Sequence, residues 1–388
     1  MDAKCEHLVT AGRDDKTARL WEIHSVDQHK PKLIRKFRHP IGPGNFGKVY
    51  AAAISPNGRT VAIGGWDIGY FSPGVGKNYV YIFDGASGEL QARIGRLDDV
   101  IHHLAFSDDG QYLVAGLHED QGIRVWSTAN WQEITNNGHI GGSVYGAIFD
   151  EIGRLYTVAY GYDGSDHVMD GVLNVLVREG DAFIQKRIAR TRSGREPYSI
   201  AINGKKRLLA IGFSDSASVE IYDMDTLALL HATPLSDGDR ERSSAGVSWS
   251  GDGETLFATL SPKDDFGPKW LRSWYVADRK PKLLSPDIKL DLPPLGSTVQ
   301  LLTCKGQLFV GANEGFGLFD PVTKSVKWEE NKRSIFTVQK GDMENHLRAS
   351  MDGSRIAIRQ EHGGKTPYIF DLQAERLFQG TSAELSEL

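Results

Sequence analysis

Short apolar runs, each broken by a tight polar turn and resumed, recur seven times along the chain. The turn segments read ISPNGRTVAIGG from Ile54, FSDDGQYLVAGL from Phe106, FDEIGRLYTVAY from Phe149, INGKKRLLAIGF from Ile202, WSGDGETLFATL from Trp249, LTCKGQLFVGAN from Leu302 and SMDGSRIAIRQE from Ser350. Successive starts lie 52, 43, 53, 47, 53 and 48 residues apart. Self-similarity at that period marks stacked units that cannot bury their apolar faces alone.

Each unit divides into four strand-like runs. In the second unit they are Lys48–Ser55, Thr60–Trp66, Asn78–Asp84 and Glu89–Ile94; in the third, Ile101–Ser107, Tyr112–His118, Gly122–Ser127 and Trp131–Thr135. The fifth repeats the plan at Tyr198–Asn203, Arg207–Phe213, Ser218–Met224 and Leu227–Thr233. Val, Ile, Tyr, Phe and Trp fill the runs, and Gly, Asn, Asp or Pro separate them. No segment sustains a 3.6-residue apolar period, so long helices are not expected. Four antiparallel strands per unit describe the blades of an all-β propeller. The chain reads as one such domain over 1–388, with units near 5–40, 46–96, 99–137, 142–191, 196–236, 242–287, 296–332 and 345–380. The first unit offers only His7–Ala11, Thr17–Ile23 and Lys32–Phe37 and lacks its innermost strand. A ring must close or leave open edges. Eight blades are therefore expected, with Thr381–Leu388, or less well residues 1–5, supplying the missing strand; seven blades are the alternative.

The third run of most units ends in an aromatic and a polar residue: Trp21-Glu22, Phe83-Asp84, Trp126-Ser127, Tyr222-Asp223, Phe319-Asp320 and Phe370-Asp371. In this the chain resembles WD40 repeats, over essentially all of residues 5–380. HLVTAGRDDKTARLWEI (His7–Ile23) is the best match within it. The resemblance implies a buried hydrogen-bond set in which Thr10, Asp15 and Trp21 take three places, with no His for the fourth. The other units keep the aromatic and are expected to rest on apolar packing. LVTAGRDDKTARLW, AISPNGRTVAIGGW and HLAFSDDGQYLVAGL are similar to bacterial WD40 proteins fused to or encoded beside caspase-like protease or signalling domains. That likeness implies a caspase-like or defence-signalling partner.

Composition adds boundaries. The chain is 40% hydrophobic and 24% charged with net charge −5, which gives no bulk footprint for nucleic acid. Forty-three glycines among 388 residues exceed the average of about 7%, as many tight turns require. Uncharged apolar stretches are far shorter than the ~20 residues of a membrane span. The start MDAKCEHLVTAG is charged and has no apolar leader core. Cys5 and Cys304 form neither a disulfide framework nor a metal set, so a cytoplasmic protein is expected.

Antiparallel order places first-to-second and third-to-fourth turns on one face of the disc, the other connections on the opposite face. The first group is short: SPNG, SDDG, GASG, STAN, DMDT, DPVT. The second holds the length variation, at Arg38–Gly47, Asp67–Lys77, Asn136–Gly142, Gly161–Asp170, Thr191–Pro197, Ser261–Lys269 and Asn331–Asn345. Long loops on one face of a rigid scaffold carry function. The candidate partner-binding residues on this face are Phe46, Lys48, Trp66, Tyr70, Phe71, Tyr162, Asp163, His167, Arg192, Arg195, Phe266 and Lys269, with Tyr160 beside them. Aromatic residues and Arg are what interfaces concentrate.

Catalytic patterns fail one by one. IGPGNFGKVY (Ile41–Tyr50) fits a kinase glycine-rich loop and Asp265-Phe266-Gly267 follows later, but Val61-Ala62-Ile63 leads to Gly64 instead of Lys and no His-Arg-Asp exists. The same stretch misses a phosphate-binding loop, since Val49 stands where a hydroxyl is needed. Asp163, Asp166, His167 and Asp170 lack the closing Glu of an EF-hand. His102-His103 and His118-Glu119-Asp120 read as polar turns without zinc spacing. The basic runs KPKLIRKFRH and QKRIARTRSGR cover outermost strands, where Lys and Arg discourage edge pairing. The reading is a non-enzymatic interaction scaffold or regulatory subunit without cofactor or metal; a propeller hydrolase or lyase, or a small-ligand binder using the central channel, is the alternative.

Overall fold

The computed structural model describes residues 1–12, 16–22, 32–41, 45–67, 77–118, 121–137, 142–162, 168–180, 182–262, 268–284, 286–290, 300–304, 307–312, 315–320, 323, 325–328, 347–349, 355–358, 368–371 and 376–379. The N-terminal sheet is β1 (His7–Gly12), β2 (Thr17–Glu22) and β3 (Lys32–Phe37). The next two blades are β4 (Lys48–Ile54), β5 (Thr60–Trp66), β6 (Asn78–Asp84), β7 (Leu90–Leu97), then β8 (Ile101–Phe106), β9 (Tyr112–Leu117), β10 (Ile123–Ser127), β11 (Glu133–Asn137). Two more follow: β12 (Val144–Phe149), β13 (Leu155–Tyr162), β14 (Val168–Glu179), β15 (Ala182–Arg190), and β16 (Pro197–Asn203), β17 (Leu208–Phe213), β18 (Glu220–Asp223), β19 (Leu229–Ala232). A six-stranded blade comprises β20 (Arg242–Ser243), β21 (Val247–Trp249), β22 (Thr255–Pro262), β23 (Lys269–Ala277), β24 (Lys280–Leu283) and β25 (Ile288–Leu290). The last two are β26 (Gln300–Cys304), β27 (Gln307–Ala312), β28 (Gly315–Asp320), β29 (Ser325–Trp328), and β30 (Leu347–Ala349), β31 (Arg355–Ile358), β32 (Tyr368–Asp371), β33 (Arg376–Gln379).

Every pairing in these sheets is antiparallel, and all are between chain neighbours except β20 with β22 and β23 with β25 in the six-stranded blade. First strands pack on first strands, β4 on β8, β8 on β12, β12 on β16, β16 on β21 and β21 on β26, which is the radial plan of a propeller. Among the described residues seven sheets carry four strands or more, the count held as the alternative, and the three-stranded N-terminal sheet lies against β4. The expected eighth blade is not confirmed; its closing segment, Thr381–Leu388, lies outside the described residues.

The turns form for a local reason. Ser55 Oγ donates to Asn57 Oδ1 (2.7 Å) and accepts from the Thr60 amide (2.9 Å); Ser107 repeats this with Asp109 (2.6 Å) and Tyr112 (3.0 Å). Gly58 and Gly110 then take φ +73° and +71°, a region that costs other residues strain. Apolar side chains fill the gaps between blades. Trp126, 1% exposed, joins Leu113 and Ala115 of its own blade to Val80 and Ile82 of the preceding one.

Polar sets pin the blades as well. Trp21 Nε1 donates to Thr10 Oγ1 at 3.0 Å, the bond that the WD40 likeness implies; Asp15 lies outside the described residues. Contrary to the sequence reading, later blades do not rest on apolar packing alone. His39 Nδ1 lies 2.5 Å from Asp67 Oδ1, and Asp67 accepts from the Tyr79 amide at 3.1 Å. In the β16–β19 blade the wholly buried Glu220 accepts from the Tyr222 hydroxyl and from the amides of Arg192 (2.8 Å) and Ser193 (2.5 Å). Cys5 is disulfide-bonded, a cross-link that the two-cysteine count left unread.

The extra strands of the β20–β25 blade are tied by Arg272, whose guanidinium grips Asp239 (2.9 and 2.9 Å) and Asp287 (2.6 and 2.8 Å). Burial opposes the charge on Asp239, but Arg272 and the Ser236 amide and hydroxyl outweigh it and hold its pKa at about 2. Its folded value is below the ordinary 3.8, so its stabilisation is complete above 3.8 and is lost as pH falls toward about 2. Asp239→Asn is therefore expected to cost roughly 2 kcal/mol at neutral pH. Urea unfolding of both forms at successive pH values should show the gap shrinking through that window; a constant gap would assign the effect to packing.

Candidate functional site

The first strands begin where the long connections end. Tyr50 on β4, His102 on β8, Tyr145 on β12 and Tyr198 on β16 therefore sit at the same end of four consecutive blades, at the mouth of the ring on its loop-rich face. Trp66, His118 and Tyr160 stand at the ends of the neighbouring second strands, on that face too. The rings join across blades. Tyr50 meets Trp66 at 6.5 Å and His102 at 5.8 Å between centroids. His102 stacks on Tyr145 at 4.5 Å and packs its edge on His118 at 5.0 Å. Tyr145 also stacks on Tyr160 (4.9 Å) and Tyr198 (5.0 Å). All seven are half-buried.

Polar groups edge this band. The hydroxyls of Tyr160 and Ser214 lie 3.1 Å apart, and Ser214 donates to Glu196 Oε2 at 2.8 Å. Burial, with the neighbouring Tyr198 and Glu196, pushes Tyr145 up to about 12; burial pushes Tyr160 up further. Both are neutral hydrogen-bonding phenols at physiological pH. Asp99 loses solvent on folding, yet His118 (3.5 Å) and the Val100 amide (2.6 Å) hold its pKa below the ordinary carboxylate value. His103 turns away: its Nε2 lies 2.8 Å from the Ala147 carbonyl, and burial lowers its pKa. Stacked rings form a rigid contact surface, the kind of anchor that interfaces concentrate.

Sequence candidates distribute unevenly. Trp66 belongs to the band, and Lys48 pairs across from it in the β4–β5 register. Phe46 is half-buried, its carbonyl accepting from Lys16 Nζ at 3.0 Å. Arg192 and Arg195 are exposed; Asp215 Oδ2 accepts from the Arg195 amide at 2.9 Å. Lys269, expected to be exposed, is 3% exposed at the start of β23, where β25 pairs beside it with Leu290 opposite. Tyr70, Phe71, Asp163, His167 and Phe266 lie outside the described residues, as does the side chain of Tyr162 at the end of β13. Sequence reasoning missed Tyr50, Tyr145 and Tyr198 and dismissed His102 and His118 as polar turns. A signal was present: Tyr50, His102, Tyr145 and Tyr198 each stand four residues before their unit's turn segment.

For metals, Asp2, Glu6 and His7 bring three ligand atoms within 4.8 Å among the described residues. Asp2 is already the acceptor for the Glu6 amide (2.9 Å), the His7 amide (3.0 Å) and the His7 ring (3.0 Å), a self-contained turn. No helix among the described residues is long and apolar enough to cross a membrane.

Residues 89–127, which span β7 to β10, match the WD domain, G-beta repeat family. No curated protein sequence matches the chain. Among solved structures, the WD40 repeats of RRP9 are similar at TM-score 0.59 and 16% identity, over 80% of this chain and 86% of that one. The structure of U3-55K gives 0.58 at 16% identity, with 80% and 86% covered. The WD40 β-propeller domain of Doa1 gives 0.55 at 14% identity, over 81% and 89%. The shared architecture makes this chain a β-propeller, in which residues 89–127 are similar to a WD40 repeat.

Proposed function

We propose that the chain is a non-catalytic interaction module that binds a partner protein at the mouth of its loop-rich face. The observation that supports this reading is the band of seven rings spanning four blades, at the end of the propeller where the connections vary. Preorganised aromatic side chains contribute contact area at little further entropic cost. Arg192 and Arg195 at its rim add charge that steers encounter. The wording of the repeats speaks for a caspase-like or other signalling protein as one partner class.

The test is affinity capture with the immobilised chain, followed by mass spectrometry, comparing wild type with Tyr50→Ala/Trp66→Ala. A partner retained by wild type should fall below detection with the double variant. Equal recovery from both, with unchanged melting, would move the interface elsewhere.

A further inference from the structure

We infer that the outer edge of β15 is a second docking site, and that its occupant is an extended acidic segment of a partner protein which joins the blade as a fifth strand. β15 ends the sheet order β12-β13-β14-β15 and is nine residues long, whereas β7, β11, β19 and β24 at the same position have eight, five, four and four. The Thr191 amide donates to the Gly171 carbonyl at 2.8 Å and Arg190 pairs with Val172. Alternation then turns Ala189 and Arg187 toward β14 and directs the backbone groups of Arg190 and Ile188 outward. One outward group is taken, the Phe183 amide by Thr135 Oγ1 (2.7 Å), while the Tyr222 hydroxyl, which donates to Glu220, lies 3.5 Å from the Arg190 carbonyl. Ile188, between them, has no further backbone partner among the described residues.

The side chains state what the edge accepts. Ile184 and Ile188 are 42% and 59% exposed, apolar anchors on a strand that faces solvent. Lys186, Arg187 and Arg190 are exposed around them, and no acidic residue occurs from Ala182 to Arg195 in a chain of net charge −5. Glu179 pairs with Lys186, where a register shift places a bulge, so the outward groups open to a partner are those of Ile188 and Arg190. Cations on an edge repel a second copy of the same strand. They favour a strand bearing carboxylates, for which main-chain bonds give affinity and alternate side chains give selectivity. Nucleic acid fits less well, since the strand from Ile184 to Arg190 has no ring on which a base could stack. Arg192 and Arg195 carry the stripe on to the loop-rich face.

The decisive experiment titrates the chain into a labelled, end-capped Val-Glu alternating peptide of about eight residues, read by fluorescence anisotropy. Saturable binding that weakens with salt is expected. Ile188→Pro removes an outward amide and leaves the β14 bonds in place; it should weaken binding by at least ~10-fold with melting unchanged. Arg187→Glu/Arg190→Glu should do the same and decides the matter if the proline variant does not fold. Absence of saturable binding, equal affinity of the folded variants, or tighter binding of single-stranded oligo-dT than of the peptide would each overturn the inference. Tyr50→Ala/Trp66→Ala should leave this titration unchanged, which separates it from the reading of the channel mouth.

Discussion

Trp126→Ala is expected to destabilise the propeller by about 3–5 kcal/mol, the usual cost of emptying a large aromatic site in a packed core. The side chain is 1% exposed and lies between two blades, touching a cluster that includes Val80, Ile82, Ile94, Leu104 and Leu113. Backbone strands on both sides are held in register by their own ladders, so the surrounding structure cannot collapse into the space. Because each blade contacts chiefly its neighbours, the loss should be local in origin. Hydrogen exchange should report faster opening of β6, β9 and β10 before that of β17 and β22. Ile152→Ala, at a side chain 69% exposed, is the control and should change stability by under ~0.5 kcal/mol. A Trp126→Ala cost within ~1 kcal/mol of that control would mean that the interblade cluster does not carry the fold.

The propeller was legible because two signals repeat: an S-x-N/D-G turn whose hydroxyl and carboxamide or carboxylate groups close it locally, and an aromatic residue at the end of most third strands. Ser55, Ser107 and Ser250 make the same contacts at all three turns, and Phe83, Trp126 and Tyr222 are all buried. Neither signal depends on distant parts of the chain. The aromatic band depends on such parts. His102 looks like a polar turn residue until Tyr50 of one blade and Tyr145 of the next are brought against it from 52 and 43 residues away. Only the radial stacking of first strands creates those neighbours, and hydropathy read along one segment cannot display them. Lys269 shows the converse error. Its charge suggested exposure, but β25 pairs along the start of β23, where Lys269 is 3% exposed.

Tyr145→Ala is expected to weaken partner binding by about 2–4 kcal/mol, or roughly 30- to 1000-fold in Kd. Three rings lean on this one, at 4.5, 4.9 and 5.0 Å, so its removal deletes contact area and also releases His102, Tyr160 and Tyr198 from their fixed positions. The partner then has to order those side chains itself, at about 0.5–1.5 kcal/mol each. Tyr145→Phe keeps the stack and removes only the phenol, whose pKa is raised to about 12 by burial, so the hydroxyl is a neutral group in either complex or free state. Its loss should cost no more than an ordinary hydrogen bond, about 0.5–1.5 kcal/mol. The ordering Ala far below Phe, with Phe near wild type, distinguishes a stacking anchor from a hydrogen-bonding one. Titration calorimetry with the captured partner measures it, alongside a melt that shows each variant folded. A Phe variant as weak as the Ala variant would place the recognition in the hydroxyl edge that runs through Tyr160, Ser214 and Glu196, and an Ala variant equal to wild type would remove the band from the interface altogether.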